Sequence, residues 1–268
     1  MYITKDSKIL VSDFDFTLCE HGNPHITAEN YQAVQRWRKN GNVFIIASGR
    51  SYTSMALVME NRSIADYADF LILNDGATII SATGEKVYAD RMNNKLVDDF
   101  KDALLNLHLR GKHAAISYYG NHELCYIKPG CCKFRLWFEY EEDCRTVEKL
   151  ITERFSKRLQ TIAYFNVAFN HDTRLSWIDD SLHHTLEVNN SGVDKKSALD
   201  YLLGTLCVNN AANRVIAIGD DKNDLRMLEA YNGYTLEHAR EEVLKRIPSA
   251  HIVRHLHNLI TDQLRAPV

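Results

Sequence analysis

Four short apolar runs, at residues 8–11, 43–47, 70–73 and 215–218, constrain the fold of this chain more than any other feature. Their length and β-rich content suit strands buried within a sheet. Helical stretches at about 28–40 and 51–60 separate the first three, a β-α-β-α-β alternation that implies a parallel sheet with helices on its faces. In the first of these helices Tyr31, Val34 and Trp37 mark the inner face. Thr27 is its N-cap, Gly41 suits the position just past its end, and Gly22, Asn23 and Pro24 supply the turn before it.

The rhythm then changes. Residues 78–80 and 86–88 flank a hairpin turn at 81–85, and from about 90 to 189 the order becomes helix, strands, helix, strands. Leu96, Phe100, Leu104 and Leu107 stripe the first helix of this stretch, and Val147, Leu150, Ile151 and Phe155 the second. Strands are expected at 114–118, 124–127, 134–140, 164–169, 174–178 and 185–188. Alternation resumes with a helix at 195–206, the strand at 215–218, a helix at 224–230, an apolar stretch at 234–236 and a helix at 239–246. The pattern predicts an α/β protein: a Rossmann-like parallel core from residues 1–82 and 188–268, with an inserted α+β domain over 83–187.

A 45% apolar and 25% charged composition describes an ordinary globular chain, long enough at 268 residues to bury its own cores. A formal charge of −3, without a basic arm, argues against a nucleic-acid partner. No apolar run approaches the length of a membrane span, and the first residues lack the apolar core of a secretory signal. The six cysteines, Cys19, Cys125, Cys131, Cys132, Cys144 and Cys207, are irregularly placed and read as reduced thiols, which sets the expected location as cytoplasmic. The four between 125 and 144, even with His113 and His122, lack the paired spacing of a zinc site. A monomer or small homo-oligomer is expected.

Two acidic runs carry the chemistry. Asp13-Phe14-Asp15-Phe16-Thr17-Leu18 follows the first strand, and Gly219-Asp220-Asp221-Lys222-Asn223-Asp224 follows the last clear parallel one. Carboxylates just past strand ends face the carboxyl edge of a sheet, where open α/β sheets bind ligands. A phosphate there would be repelled unless a cation bridged it to the protein. Mg²⁺ fits, because it takes hard oxygen ligands and commonly combines one or two carboxylates with substrate phosphate. Each run alone is also consistent with an N-cap or a solvated turn; it is their matching positions that point to a site.

These motifs resemble those of the haloacid dehalogenase superfamily of phosphatases, specifically its Cof-type members with a large inserted (IIB-like) cap, and the resemblance covers nearly the whole chain. It implies that Asp13 is the nucleophile and Asp15 the acid/base. Ser48, with Gly49 beside it in Ala47-Ser48-Gly49-Arg50, matches the phosphate-binding second motif. Lys195 matches the third-motif lysine and Asp220 the metal-binding fourth. Mg²⁺ would be held by Asp13, the Asp15 backbone carbonyl and Asp220, with Asn223 and Asp224 in support. The implied activity is hydrolysis of a small phosphorylated metabolite, a sugar phosphate or similar, through an aspartyl-phosphate. A phosphomutase of the same superfamily, or a phosphate-sensing or protein-binding module with vestigial catalysis, are the alternatives.

Several residues admit two roles. Ser48 also suits a helix cap, Arg50 is a rim partner for carboxylates or plain surface, and Lys196 stands beside Lys195 where the family usually has glycine. Phe16 replaces the family's customary glycine. In Asn74-Asp75-Gly76-Ala77, which resembles an Asn-Gly-Ala segment with an inserted aspartate, Asn74 either contacts substrate or shapes the turn. The inserted cap is expected to set specificity, with Tyr119, His122, Lys128 and Arg135 as candidate contacts by residue type alone.

Overall fold

The structure, a computed structural model, describes residues 4, 6–19, 25–59, 63–119, 123–124, 126–168 and 182–265. The chain divides into two compact units, Met1–Arg50, Ser54–Tyr88 and Asp194–Val268 in one, Ser51–Thr53 and Ala89–Val193 in the other. Strands β1 (Ile9–Asp13), β2 (Val43–Ala47), β3 (Phe70–Leu73), β4 (Thr78–Ser81) and β5 (Lys86–Ala89) come first. β6 (His113–Tyr118), β7 (Glu123–Leu124), β8 (Lys133–Phe138), β9 (Leu159–Ala168) and β10 (Leu182–Asn190) follow, then β11 (Val215–Ile218), β12 (Asn232–Leu236) and β13 (Ile252–Val253).

In the first unit the described strands form one sheet in the order β13-β12-β11-β1-β2-β3-β4-β5. Pairing is parallel from β13 to β3, and β4 runs antiparallel to β3. The chain therefore starts in the middle, steps outward through β2 and β3, and resumes on the other side of β1 at β11. Ile9, Val11, Ile45, Ala47, Ile72, Val215 and Ala217 pack with Ala198, Leu199, Leu202 and Leu203 of the helix Lys195–Thr205. The alternate positions Leu10, Phe44, Ile46 and Leu71 are buried too, with the helix Ala28–Lys39 packed on β2. Burial on both faces is why these strands are unbroken apolar runs, each such side chain contributing roughly 1.5–3 kcal/mol.

The second unit is an antiparallel sheet in the order β7-β6-β8-β10-β9. Phe134, Leu136, Phe138, Leu186 and Val188 pack with Leu96, Phe100, Val147 and Ile151 of the helical stretches Asn94–Leu105, Glu141–Leu150 and Ile151–Phe155. Burial pushes the Cys131 and Cys144 thiols up to about 12, so they remain protonated near neutral pH as packed side chains. Among the described residues no metal-ligating cluster includes a cysteine or histidine, and no helix is long and apolar enough to cross a membrane.

The Thr27 cap is present, its hydroxyl accepting the Asn30 N–H at 3.3 Å, and Gly41 has the left-handed φ of +78° that a helix stop favours. Other expectations shift. The first strand runs on to Asp13 because it stays paired with β2 to that residue. The strands expected at 164–169 and 185–188 lengthen through their mutual ladder, β9 with β10. The helix expected at 239–246 contracts to Glu241–Leu244, and β13 and the helix Leu256–Arg265 add elements the pattern did not assign. The turn at Gly22, Asn23 and Pro24, the strand at 174–178, Cys125 and His122 lie outside the described residues.

Candidate active site

β1 and β11 are adjacent parallel strands, paired from Ile9 with Val215 to Ser12 with Ile218. Chain order reverses between them, so both acidic runs emerge at the same carboxyl edge, the usual place for a ligand in such a sheet. After Asp13 the chain enters the turn Phe14–Leu18, in which Asp15 is extended (φ −75°, ψ 131°) and Phe16 is left-handed (φ 60°, ψ 1°). After β11, Gly219 and Asp220 lead into the turn Lys222–Asp224 and the helix Leu225–Ala230. A Cβ on Gly219 would lie 2.3 Å from Asp224 Cγ, so glycine there is what lets the Asp224 carboxylate fold back. Asp224 Oδ2 accepts the N–H groups of Asp220 and Asp221, each at 3.2 Å.

Lys195 joins the two runs. It begins a helix capped by Asp194, whose carboxylate accepts the Ser197 N–H at 2.8 Å. Its ammonium, 0% exposed, donates to Asp13 Oδ1 at 2.5 Å and to Asp224 Oδ1 at 2.7 Å. Lys196, by contrast, pairs with Asp200 on its own helix. Thr17 donates its hydroxyl to Asp220 Oδ1 at 2.8 Å. Asp13, Asp220 and Asp224 are all buried, and each offers a carboxylate oxygen within 4.8 Å of the others.

Asp15 stands apart from this cluster. Its carboxylate, 41% exposed, takes a forked contact from Arg50: Nε to Oδ2 at 2.8 Å and Nη2 to Oδ1 at 2.5 Å. Arg50 Nη1 donates to Ser54 Oγ at 2.9 Å, and the guanidinium lies over the Phe14 ring, 5.5 Å from its centre. Ser48 is fully buried; its Oγ accepts the Arg50 N–H at 3.1 Å and its own N–H donates to Ile72 O at 2.8 Å. Asn74 is buried as well, donating its N–H to Arg50 O at 2.9 Å and its side-chain amide to Thr78 Oγ1 at 3.1 Å. Asn223 donates its side-chain amide to Asp75 Oδ1 at 2.9 Å, and Asp75 packs where a Cβ on Gly49 would come within 3.0 Å of that oxygen. The sequence pattern alone assigns no site role to Thr17 or Asp75. Thr17 lies inside the first acidic run, and Asp75 is a carboxylate just past the end of a buried strand, close to the placement of Asp13 at the end of another.

The electrostatics are those of too much negative charge in too dry a place. Burial, opposed by Lys195, pushes Asp13 well above the usual carboxylate range, and Asp224, Asp220 and Asp15 add to the rise. Burial and then Asp224 push Asp220 up to about 7, against the Thr17 hydrogen bond that favours its ionised form. Burial also raises Asp224, with Lys195 opposing. Burial alone would lower Lys195, but Asp13, Asp224 and Asp75 outweigh it and hold the amine firmly protonated. Three hard carboxylates against one ammonium are a donor set that a divalent, oxygen-preferring cation would satisfy.

The family profile described as haloacid dehalogenase-like hydrolase matches residues 10–253. Solved structures superpose over almost the whole chain. A haloacid dehalogenase-like hydrolase from Bacteroides thetaiotaomicron does so with a TM-score of 0.73 at 20% identity, covering 96% of this chain and 100% of its own. A phosphatase of the haloalkanoate (HAD) superfamily from the same organism reaches 0.71 at 16% identity, covering 97% and 95%. A HAD/COF-like hydrolase from Plasmodium vivax reaches 0.72 at 16% identity, covering 97% and 96%. At these identities the likeness is one of fold. No curated protein matches the chain at a significant level.

Proposed function

The chain belongs to the haloacid dehalogenase-like hydrolases of the Cof type, and on that footing we propose that it is a Mg²⁺-dependent phosphomonoesterase acting on a small phosphorylated metabolite, a sugar phosphate or similar compound. The observation that carries the proposal is the buried Lys195 ammonium shared by Asp13 and Asp224, with Asp220 within reach of both. Such a cluster is a poor way to stabilise a fold, since packed apolar side chains of the same volume commonly do as well or better. Its worth lies in chemistry on an anion.

In this mechanism Asp13 attacks phosphorus and carries the phosphoryl group as an aspartyl-phosphate, splitting one difficult displacement into two. Asp15 protonates the leaving oxygen and later takes a proton from the attacking water, with Arg50 orienting its carboxylate between those steps. Lys195, Ser48 and the Gly49 backbone bind the nonbridging oxygens, the lysine as a point charge. Asp224 holds Lys195 in place through the second hydrogen bond of its ammonium, and Asn223 supports the site through Asp75. Asp13, the Asp15 carbonyl and Asp220 would hold Mg²⁺, which when bound supplies charge to offset phosphate against carboxylate. The inserted segment expected over 83–187 is assigned the choice of leaving group, and a cytoplasmic setting accompanies a metabolite substrate.

The test is a broad panel of phosphorylated metabolites assayed for free phosphate with and without Mg²⁺, beside Asp13→Asn. Mg²⁺-dependent release that falls by about a thousandfold or more in Asp13→Asn is expected. Activity undiminished in that variant removes Asp13 as nucleophile. A wild-type protein silent across the panel favours a binding module instead.

A further inference from the structure

Among the described residues, the turn after β3 holds the only run of consecutive positive-φ residues. Asn74 and Asp75 are consecutive non-glycine residues in the left-handed region, at φ +54° and +53°, followed by Gly76 at φ +100°. Each left-handed L-residue costs roughly 1–2 kcal/mol, less for Asn and Asp, whose short polar side chains tolerate it. Strain of this kind persists only where the surroundings enforce it, and it gathers at functional sites. Here the enforcing contacts come from three separate segments of the candidate site. The Asn74 and Asp75 N–H groups donate to Arg50 O (2.9 Å) and Ser48 O (3.2 Å). Gly76 lies so close to the residue before Lys195 that a Cβ would sit 2.1 Å from Asp194 O. The Asp75 carboxylate, only 4% exposed, accepts the Asn223 amide.

From this arrangement we propose that Asp75 is a positioning residue for phosphoryl transfer: its carboxylate holds the Asn223 side chain against the Ser48–Gly49 loop and so keeps the phosphate-binding wall in register. The inference rests on the phosphatase function proposed above. A buried carboxylate is an expensive way to finish a turn that Gly, with no acceptor at all, would complete equally well. Its hydrogen bond spans 148 residues of sequence to an amide in the second acidic run, which is what a cross-brace requires. The Asp75 charge also adds to the field that keeps Lys195 protonated, so the brace and the ammonium belong to one electrostatic unit.

Two substitutions separate this role from turn formation. Asp75→Gly keeps the left-handed backbone, at lower steric cost, and deletes the acceptor. Asp75→Asn keeps both the left-handed tolerance and an acceptor oxygen. On the best substrate of the panel, Asp75→Gly is expected to lose about 10- to 100-fold in kcat and to raise KM by up to about tenfold as the hold on phosphate loosens, the scale typical of supporting groups that orient reacting ones. Asp75→Asn is expected to recover most of that loss. Asn223→Ala should lose a similar factor, and the double variant Asp75→Gly/Asn223→Ala no more than the larger single loss. Wild-type kcat in Asp75→Gly, failure of Asp75→Asn to restore activity, or losses that multiply in the double variant would each overturn the proposal. Calorimetric titration with inorganic phosphate in the presence of Mg²⁺ keeps the two proposals distinct. If wild type binds phosphate without turnover, the hydrolase function fails, while Asp75 is judged by whether Asp75→Gly weakens phosphate about tenfold or leaves it unchanged. Wild type that neither turns over nor binds phosphate refutes both.

Discussion

Replacing Lys195 with methionine isolates the charge at the centre of the site. The two side chains have similar length, and Lys195 is wholly buried, so packing is largely kept while the ammonium between Asp13 and Asp224 is lost. Two carboxylates whose oxygens lie within 4.8 Å then face each other unscreened. At an effective dielectric constant of about 20, like charges at that distance repel by about 3.5 kcal/mol. Removing one partner of a buried ion pair costs about 3–5 kcal/mol, which brackets the same figure. With a urea slope of about 2–3 kcal/mol per molar, Lys195→Met is expected to unfold at a midpoint roughly 1–2.5 M lower at pH 7.5 without metal. The deficit should shrink as pH falls to 5, where Asp220, raised to about 7, is protonated and the upward-shifted Asp13 and Asp224 carboxylates repel less than at pH 7.5. Added Mg²⁺ should restore part of it. Equal midpoints for variant and wild type at pH 7.5, or a deficit unchanged at pH 5, would refute the claim that Lys195 neutralises this cluster.

Metal and pH are linked through Asp220. Its folded pKa of about 7 lies above the ordinary 3.8, so between those values the metal-free folded state binds more protons than the unfolded chain. Stability contributed by this group is therefore full at low pH and is lost as pH rises towards 7, with a slope of at most about 1.4 kcal/mol per pH unit. Mg²⁺ needs the ionised carboxylates, so the rise in Tm it produces should be small at pH 5 and large at pH 8; a gain independent of pH contradicts this. Phe16→Gly relieves a bulky residue from φ +60°, where Phe16 is 41% exposed. After allowance for the greater freedom of glycine in the unfolded chain, about 0.5–1 kcal/mol of added stability is expected, readable as a Tm rise of about 1–4 °C. A lower Tm would mean that the ring's contacts outweigh the strain.

Local pattern alone specifies most of the elements and the main reagents. Short apolar runs buried on both faces declare themselves through local pattern, and so do the Thr27 cap and the Gly41 stop. The two acidic runs and Lys195 were visible because reacting groups must be of particular types at strand ends and helix starts. Who meets whom is set by long-range pairing. The pairing of β1 with β11, which no local propensity encodes, brings Asp13 and Asp224 to a single lysine 182 residues from the first and 29 from the second. The choice of Lys195 over Lys196 follows from which of two neighbours on a helix faces inward. The Arg50 fork on Asp15, the Thr17 bond to Asp220 and the Asp75 brace on Asn223 all join segments far apart in sequence. Periodicity reports a residue's own burial. Its partner is set by the long-range pairing of strands, and in this protein that pairing turns two unremarkable acidic turns into one candidate site.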